Sequence, residues 1–266
     1  MDDPEVELIA DGYDAVYQTA GESATLARIW RDHATGPGFP EAFSHISFIT
    51  VAELTSVAAD LALGSGDLLV DLACGAGGPG LWVARDTGAH LVGVDISEVA
   101  LTRAGERAEA VGLSGRSRFQ RGSFAEPGLD PAGAAGAMSV DALQYAPDKA
   151  AALAGIARAL APGGRFVFIA FELDAEHVAD LPIWSDPVGD YRPVLEAAGF
   201  RVERYEETSG WRDRLTATYE AVLAEGETLE AEMGPVAAAA LSLEAATTLD
   251  EHPYSGRVLV AATRLG

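Results

Sequence analysis

The chain has 266 residues, 48% of them hydrophobic, which is enough to bury a sizeable core and too apolar for a disordered segment. Its 41 acidic against 18 basic residues give a formal net charge of −23, a surface that repels a phosphate backbone and excludes nucleic acid as a partner. A single cysteine, Cys74, excludes an internal disulfide framework and a cysteine-based zinc site.

The start, MDDPEVELIA, is acidic and lacks the basic and apolar stretches of a signal peptide. The most apolar later stretch, GPVAAAALSLEAATTL, is short and carries Glu244, so no membrane span is expected and the plain reading is a soluble cytoplasmic protein. Residues 1–63 read as helical segments, broken at HATGPGFP by two glycines and two prolines. TVAELTSVAADLAL then fits a helix, with Thr50 and Glu53 spaced as a capping box.

From residue 64 strand and helix patterns alternate. DLLVDLA, HLVGVD, RFQRGSF, GAAGAMSVD and GRFVFIAFE read as strands one to five, with helical spacing between most of them. DYRPVLEAAGF reads as a helix, RVERYEET as strand six, 212–252 as a helical insertion and GRVLVAATR as a closing strand. Repeated βα units predict a Rossmann-like α/β fold, a seven-stranded, mostly parallel sheet with helices on both faces. The final strand, returning after an insertion, is expected antiparallel at the sheet edge. The predicted division is a helical cover at 1–63, a core at 64–211, a lid at 212–252 and a last core strand at 253–266.

LLVDLACGAGGPG, residues 68–80, carries two signatures at once. Gly75, Gly77 and Gly80 spell G-x-G-x-x-G, the dinucleotide fingerprint of NAD(P)-dependent oxidoreductases. Asp71, Ala73, Gly75 and Gly77 spell the acidic glycine loop that binds S-adenosylmethionine. Asp95, 20 positions beyond Gly75 at the end of strand two, suits the ribose hydroxyls of either cofactor. Asp71 favours the methyl donor, because a carboxylate attracts its sulfonium and ammonium and repels a pyrophosphate.

Three features resemble the class I S-adenosylmethionine-dependent methyltransferases, closest to the bacterial small-molecule type of ubiquinone and natural-product biosynthesis. Pro162-Gly163-Gly164 stands before strand five, SVDALQYAPD follows strand four, and strands six and seven close the chain. The resemblance covers roughly 45–208 and 256–264. It implies S-adenosyl-L-methionine as cofactor, a small organic acceptor in secondary metabolism, and a monomer or homodimer.

By that resemblance Asp71, Ala73, Cys74, Gly75 and Gly77 frame the methionine part of the cofactor, Asp95 takes the ribose and Ile96 packs on adenine. Ser123 and Phe124 replace the family's acidic adenine contact, and Ala73 replaces its first loop glycine. Ser47, Phe48 and Asp141 are further cofactor contacts. His45, Asp141 and His252 are the candidate bases for an acceptor that must lose a proton. Tyr13, Tyr17, Trp30, Phe39, Phe43, Gln144, Tyr145, Trp211 and Tyr219 are candidates for an aromatic acceptor pocket. The competing readings are plain: Asp95 and Asp141 as helix-start acids, Cys74 as a small buried loop residue, the histidines as structural or solvated, the aromatics as core packing. No H-E-x-x-H spacing occurs, so no metal is expected. A protein that binds S-adenosylmethionine without transferring its methyl stays open.

Overall fold

The computed structural model describes residues 10, 13–14, 16–18, 23–36, 38–177 and 186–266. The sequence expectations for residues 1–9 and Pro37 fall outside these.

Seven strands form one sheet: β1 (Leu68–Leu72), β2 (His90–Asp95), β3 (Ser117–Arg121), β4 (Ala134–Val140), β5 (Leu160–Leu173), β6 (Phe200–Glu207) and β7 (Ser255–Arg264), in the order β3-β2-β1-β4-β5-β7-β6. Strands β1 to β5 pair in parallel, and β7 runs antiparallel to both β5 and β6. The order reverses between β1 and β4, and at such a switch point the chain leaves a crevice at the carboxyl ends of the strands. One expectation is corrected: β7 is antiparallel but interior, and the edge strand is β6. The sequence carries the reason. VLVAA in β7 is apolar on both faces, whereas RVERYEE in β6 alternates with charges that tolerate an open edge.

Alternate strand residues feed two clusters, as the period of two requires. Val70, Val92, Phe166, Phe168 and Val260 pack with Leu153 and Ile156 of α5 (Lys149–Ala159) and Leu195 of α6 (Arg192–Ala197). Leu69, Leu91, Val167 and Leu259 pack with Leu54, Val57 and Leu61 of α2 (Val51–Leu61) and with Leu81 and Val83 of α3 (Gly78–Thr87). Helix α2, placed by the sequence reading in the N-terminal cover, is therefore a layer of the core. Its capping box forms as expected: Glu53 N–H donates to Thr50 Oγ1 at 3.2 Å and Thr50 N–H to Glu53 Oε2 at 2.7 Å.

A third cluster forms the cover. It joins α1 (Ala24–Ile29) and the π-helical Trp30–Ala34 to α7 (Trp211–Ala224), α8 (Gly226–Met233) and α9 (Pro235–Glu251), through Leu26, Ile29, Trp30, Leu215, Tyr219, Leu229 and Ala245. Helix α4 (Glu98–Ala110) follows β2. Among the described residues no helix is long and apolar enough to cross a membrane, and no group of three His, Cys, Asp or Glu side chains is placed to hold a metal.

Candidate active site

A cavity of about 1990 Å³ lies between the carboxyl ends of β1, β2 and β4 and the helical cover. The loop after β1 is fixed by its backbone. Ala73, Gly75 and Gly77 all have left-handed φ, at 56°, 52° and 77°. Glycine takes that conformation without penalty, whereas Ala73 holds it at a cost of roughly 1–2 kcal/mol. Cys74 N–H donates to Val94 O at 3.1 Å, which ties the loop to β2. A Cβ on Gly75 would collide with the Tyr17 hydroxyl, so that tyrosine lies directly against the loop.

Asp71 is the last but one residue of β1, 2% exposed, and its Oδ2 has no hydrogen-bond partner. Burial, with the Asp95 charge adding, pushes its carboxyl up to about 8. Asp71 Oδ2 lies against Gly80, and the residue lines the cavity, where a carboxylate suits a cationic group. Asp95 accepts Gly75 N–H at 2.7 Å through Oδ2 and Ser97 N–H at 2.9 Å through Oδ1. Ile96 N–H is a third backbone donor to this carboxylate, which keeps acceptor capacity for a ligand hydroxyl. The helix cap here is Ser97, whose hydroxyl accepts from Ala100 N–H at 3.0 Å, so Asp95 is spared that duty. Ile96, Ser123 and Phe124 line the wall beyond it, and the Ser123 hydroxyl accepts Glu126 N–H at 3.1 Å.

At the end of β4, Asp141 lies in a buried charge network that the sequence reading missed. Arg257 of β7, 0% exposed, donates Nε to Asp141 Oδ1 at 2.8 Å and Nη2 to Oδ2 at 3.0 Å. Its Nη1 donates to Glu53 Oε1 at 2.9 Å, an oxygen that also takes Arg214 Nη2 at 3.0 Å. Phe48 N–H donates to Asp141 Oδ2 at 2.9 Å, so the segment entering α2 is pinned to the same carboxylate. The signal was an arginine inside an otherwise apolar strand, which demands a buried partner.

A family model described as a methyltransferase domain matches residues 69–164, the span from β1 to the start of β5. A 27-O-demethylrifamycin SV methyltransferase of Amycolatopsis mediterranei is 26% identical over 221 residues, covering 79% of each chain. A sterol 24-C-methyltransferase, ERG6B, of Gibberella zeae is 33% identical over 110 residues, but the match spans 41% of this chain and 29% of that one. Residues 69–164 thus match a methyltransferase domain, and the chain is similar to class I S-adenosylmethionine-dependent methyltransferases. Solved structures agree in fold. The [4+2]-cyclase SpnF superposes with a TM-score of 0.76 at 22% identity, covering 97% of this chain and 96% of that one. A geranyl diphosphate C-methyltransferase of Streptomyces coelicolor A3(2), solved with S-adenosyl-L-homocysteine, gives 0.66 at 17% identity over 99% of each.

The cofactor of a class I methyltransferase is S-adenosylmethionine, and the residues present fit it: the Asp71 carboxylate on the cavity wall, the loop with no Cβ at Gly75, and Asp95 with acceptor capacity to spare. The oxidoreductase reading of the glycine loop gives way to the methyltransferase-domain match, which contains that loop. Ser47, Phe48, Ala73, Cys74 and Gly75 line the cavity as well. Gly77 is off its wall: as the residue before α3 it packs towards Ala104, Leu81 and Phe119. Cys74 is buried, and burial pushes its thiol well up, the state of an inert loop residue.

The three candidate bases need correction. Asp141 has both oxygens engaged by Arg257 and Phe48, which holds it as a structural anion. His45 accepts Ser47 N–H on Nδ1 at 3.1 Å, which leaves the proton on Nε2, and burial with the Arg107 and Arg257 charges pushes it down to about 3. It is a neutral donor with an unpartnered Nε2. His252 donates Nδ1–H to Leu249 O at 2.8 Å, and its Nε2 lies 3.2 Å from the Thr216 hydroxyl, so neither nitrogen is free.

Of the pocket aromatics, Tyr13, Tyr17, Trp30, Phe39, Tyr145 and Tyr219 line the cavity, with Gln144. Trp211 and Phe43 do not. Trp211 packs edge-on against Phe171 and donates to Glu207, and Phe43 sits in the core under the Arg85 guanidinium.

Proposed function

We propose that the protein transfers a methyl group from S-adenosylmethionine to a small organic acceptor of secondary metabolism, within the cytoplasm. One observation carries this: a single cavity has Asp71 and the β1 loop on one wall and an aromatic wall on another. Trp30, Phe48 and Tyr219 meet there with ring centroids 5.6–6.3 Å apart. The rifamycin relative, which covers most of this chain, is named for an acceptor of natural-product type and supports the same class.

The bound cofactor supplies an activated methyl on a sulfonium centre. What this chain must add is alignment, which is worth several kcal/mol, roughly 7–11 in favourable intramolecular models. Asp71 would hold the cofactor's ammonium end, Asp95 its ribose, and Ile96 with Phe124 its adenine. Tyr17, lying on the loop, and the cover above it would exclude water. With Asp141 and His252 engaged and His45 carrying its proton on Nε2, the acceptor would be one that reacts without a dedicated histidine or aspartate base.

That last feature also favours a second reading, in which the cofactor is bound and its methyl is not moved. The structural neighbour named as a [4+2]-cyclase supports it. Incubation with S-adenosylmethionine and a panel of small acceptors, following S-adenosylhomocysteine, tests the two. Acceptor-dependent S-adenosylhomocysteine supports methyl transfer. Tight cofactor binding with none formed across the panel favours the second reading.

A further inference from the structure

Helix α9 places Glu244 on the wall of the cavity, as it does Glu251 at its end. Glu244 Oε1 accepts the Tyr219 hydroxyl at 2.7 Å, and among the described residues no arginine or lysine forms an ion pair with it. Its side chain is exposed and faces the cavity, and the protein packed around it raises its pKa. Three phenols line the cavity with it. Its charge reaches Tyr13, Tyr145 and Tyr219, raising the pKa of each on top of the larger effect of burial. The Tyr13 and Tyr145 rings meet edge to face at 6.1 Å. On the other side of Tyr219, Trp30 is 7% exposed, lines the same cavity, and has an Nε1 without a partner.

A carboxylate facing a cavity attracts a cation that enters it, and among the described residues no arginine or lysine is paired with this one. Aromatic faces attract a cation within about 6 Å, with more effect where water is excluded. A cavity wall that carries these tyrosines and this anion is therefore matched to an organic cation. The strongly acidic chain, at −23, would raise the local concentration of such a ligand.

We propose that Glu244, with Tyr13, Tyr145 and Tyr219 of the same cavity, is a subsite for a basic amine of the acceptor, held as its ammonium ion. The inference rests on the reading of this cavity as the acceptor pocket of a methyltransferase, and it narrows that acceptor to a nitrogenous cation. Glu244 here binds and orients. It is not asked to take a proton.

The test uses choline and 3,3-dimethylbutan-1-ol, two probes of the same shape that differ in charge. Protein saturated with S-adenosylhomocysteine is titrated with each by calorimetry and by tryptophan fluorescence, which Trp30 makes sensitive to the cavity. Choline is expected to bind at least tenfold more tightly than the alcohol. Glu244→Gln should lose at least tenfold for choline and little for the alcohol, and Tyr219→Phe should lose a smaller factor. Unchanged S-adenosylhomocysteine binding shows that each variant is folded. Equal binding of the two probes, or choline binding in Glu244→Gln equal to wild type, overturns the subsite. Failure of S-adenosylhomocysteine to bind the wild type would instead overturn the methyltransferase reading, and choline titration of the unloaded protein would still decide the subsite.

Discussion

Arg257 grips Asp141 through two parallel hydrogen bonds, Nε to Oδ1 at 2.8 Å and Nη2 to Oδ2 at 3.0 Å, and so ties β7 to the end of β4. The same guanidinium reaches Glu53, whose other oxygen closes the cap of α2. Three parts of the chain that frame the cavity thus share one buried cation. Arg257→Met removes the cation that Asp141 and Glu53 share, leaving Asp141 without its ion-pair partner while Glu53 keeps Arg214. The expected loss is about 3–5 kcal/mol, the usual result of taking one partner from a buried pair, read as a shift in the urea unfolding midpoint. A loss under 1 kcal/mol would mean that water reaches the network and replaces the arginine.

The β1 loop should respond in opposite directions to two small substitutions. Gly75 has φ 52° and would place a Cβ against the Tyr17 hydroxyl and 3.1 Å from its Cζ. Gly75→Ala is expected to destabilise by at least 1–2 kcal/mol on backbone grounds alone, and to weaken S-adenosylhomocysteine about tenfold or more as Tyr17 is displaced. Ala73→Gly relieves the same kind of strain at φ 56° but frees the unfolded chain. It should be neutral or stabilising by up to about 1 kcal/mol, since the two effects nearly cancel. Thermal unfolding with and without ligand reads both variants.

How far these features could be seen in the sequence follows from what each depends on. The strands were visible because apolar runs and alternation are local, and the loop was visible because its glycines and acid are adjacent in the chain. The place of β7 between β5 and β6 was encoded too, in a run apolar on both faces beside a charged, alternating neighbour, but the reading gave weight to chain order instead. The network was hidden because Glu53, Asp141, Arg214 and Arg257 come from four separate elements and meet only in space. His45 misled for a similar reason: a histidine beside a cofactor loop suggests a base, and only the Ser47 N–H at its Nδ1 fixes the proton on the other nitrogen. Trp211 looked like a lid aromatic because helical spacing says nothing about which neighbour a face will meet.

Stability should carry the mark of His45. Its folded pKa is pushed down to about 3 from an ordinary 6.5, so between those values the unfolded chain holds a proton that the folded protein does not. Where the unfolded state binds more protons, stability rises with pH. Stability is therefore present in full above about pH 6.5 and is lost as pH falls, by at most about 1.4 kcal/mol per unit from this group. Unfolding free energies of the wild type and His45→Gln, measured from pH 4 to 7, should differ in slope over this window. Parallel curves would show that the ring titrates normally and remains available as a base.

Binding of the cofactor should release a proton at Asp71. In the free protein burial holds this carboxyl up to about 8, so near pH 7 it is mostly neutral, with Oδ2 lacking a partner. An arriving ammonium or sulfonium favours the carboxylate and lowers that pKa, and by linkage the ligand must then bind more tightly as pH rises towards 8 and level off above it. Calorimetry of S-adenosylhomocysteine, whose ammonium is retained, in buffers of different ionisation enthalpy should give apparent heats that vary with the buffer at pH 7. The variation should vanish in Asp71→Asn, which keeps the shape of the side chain and has no proton to lose. Heats independent of buffer in the wild type would place the cationic end of the cofactor away from β1, and the assignment of the loop's acid to that end would fail.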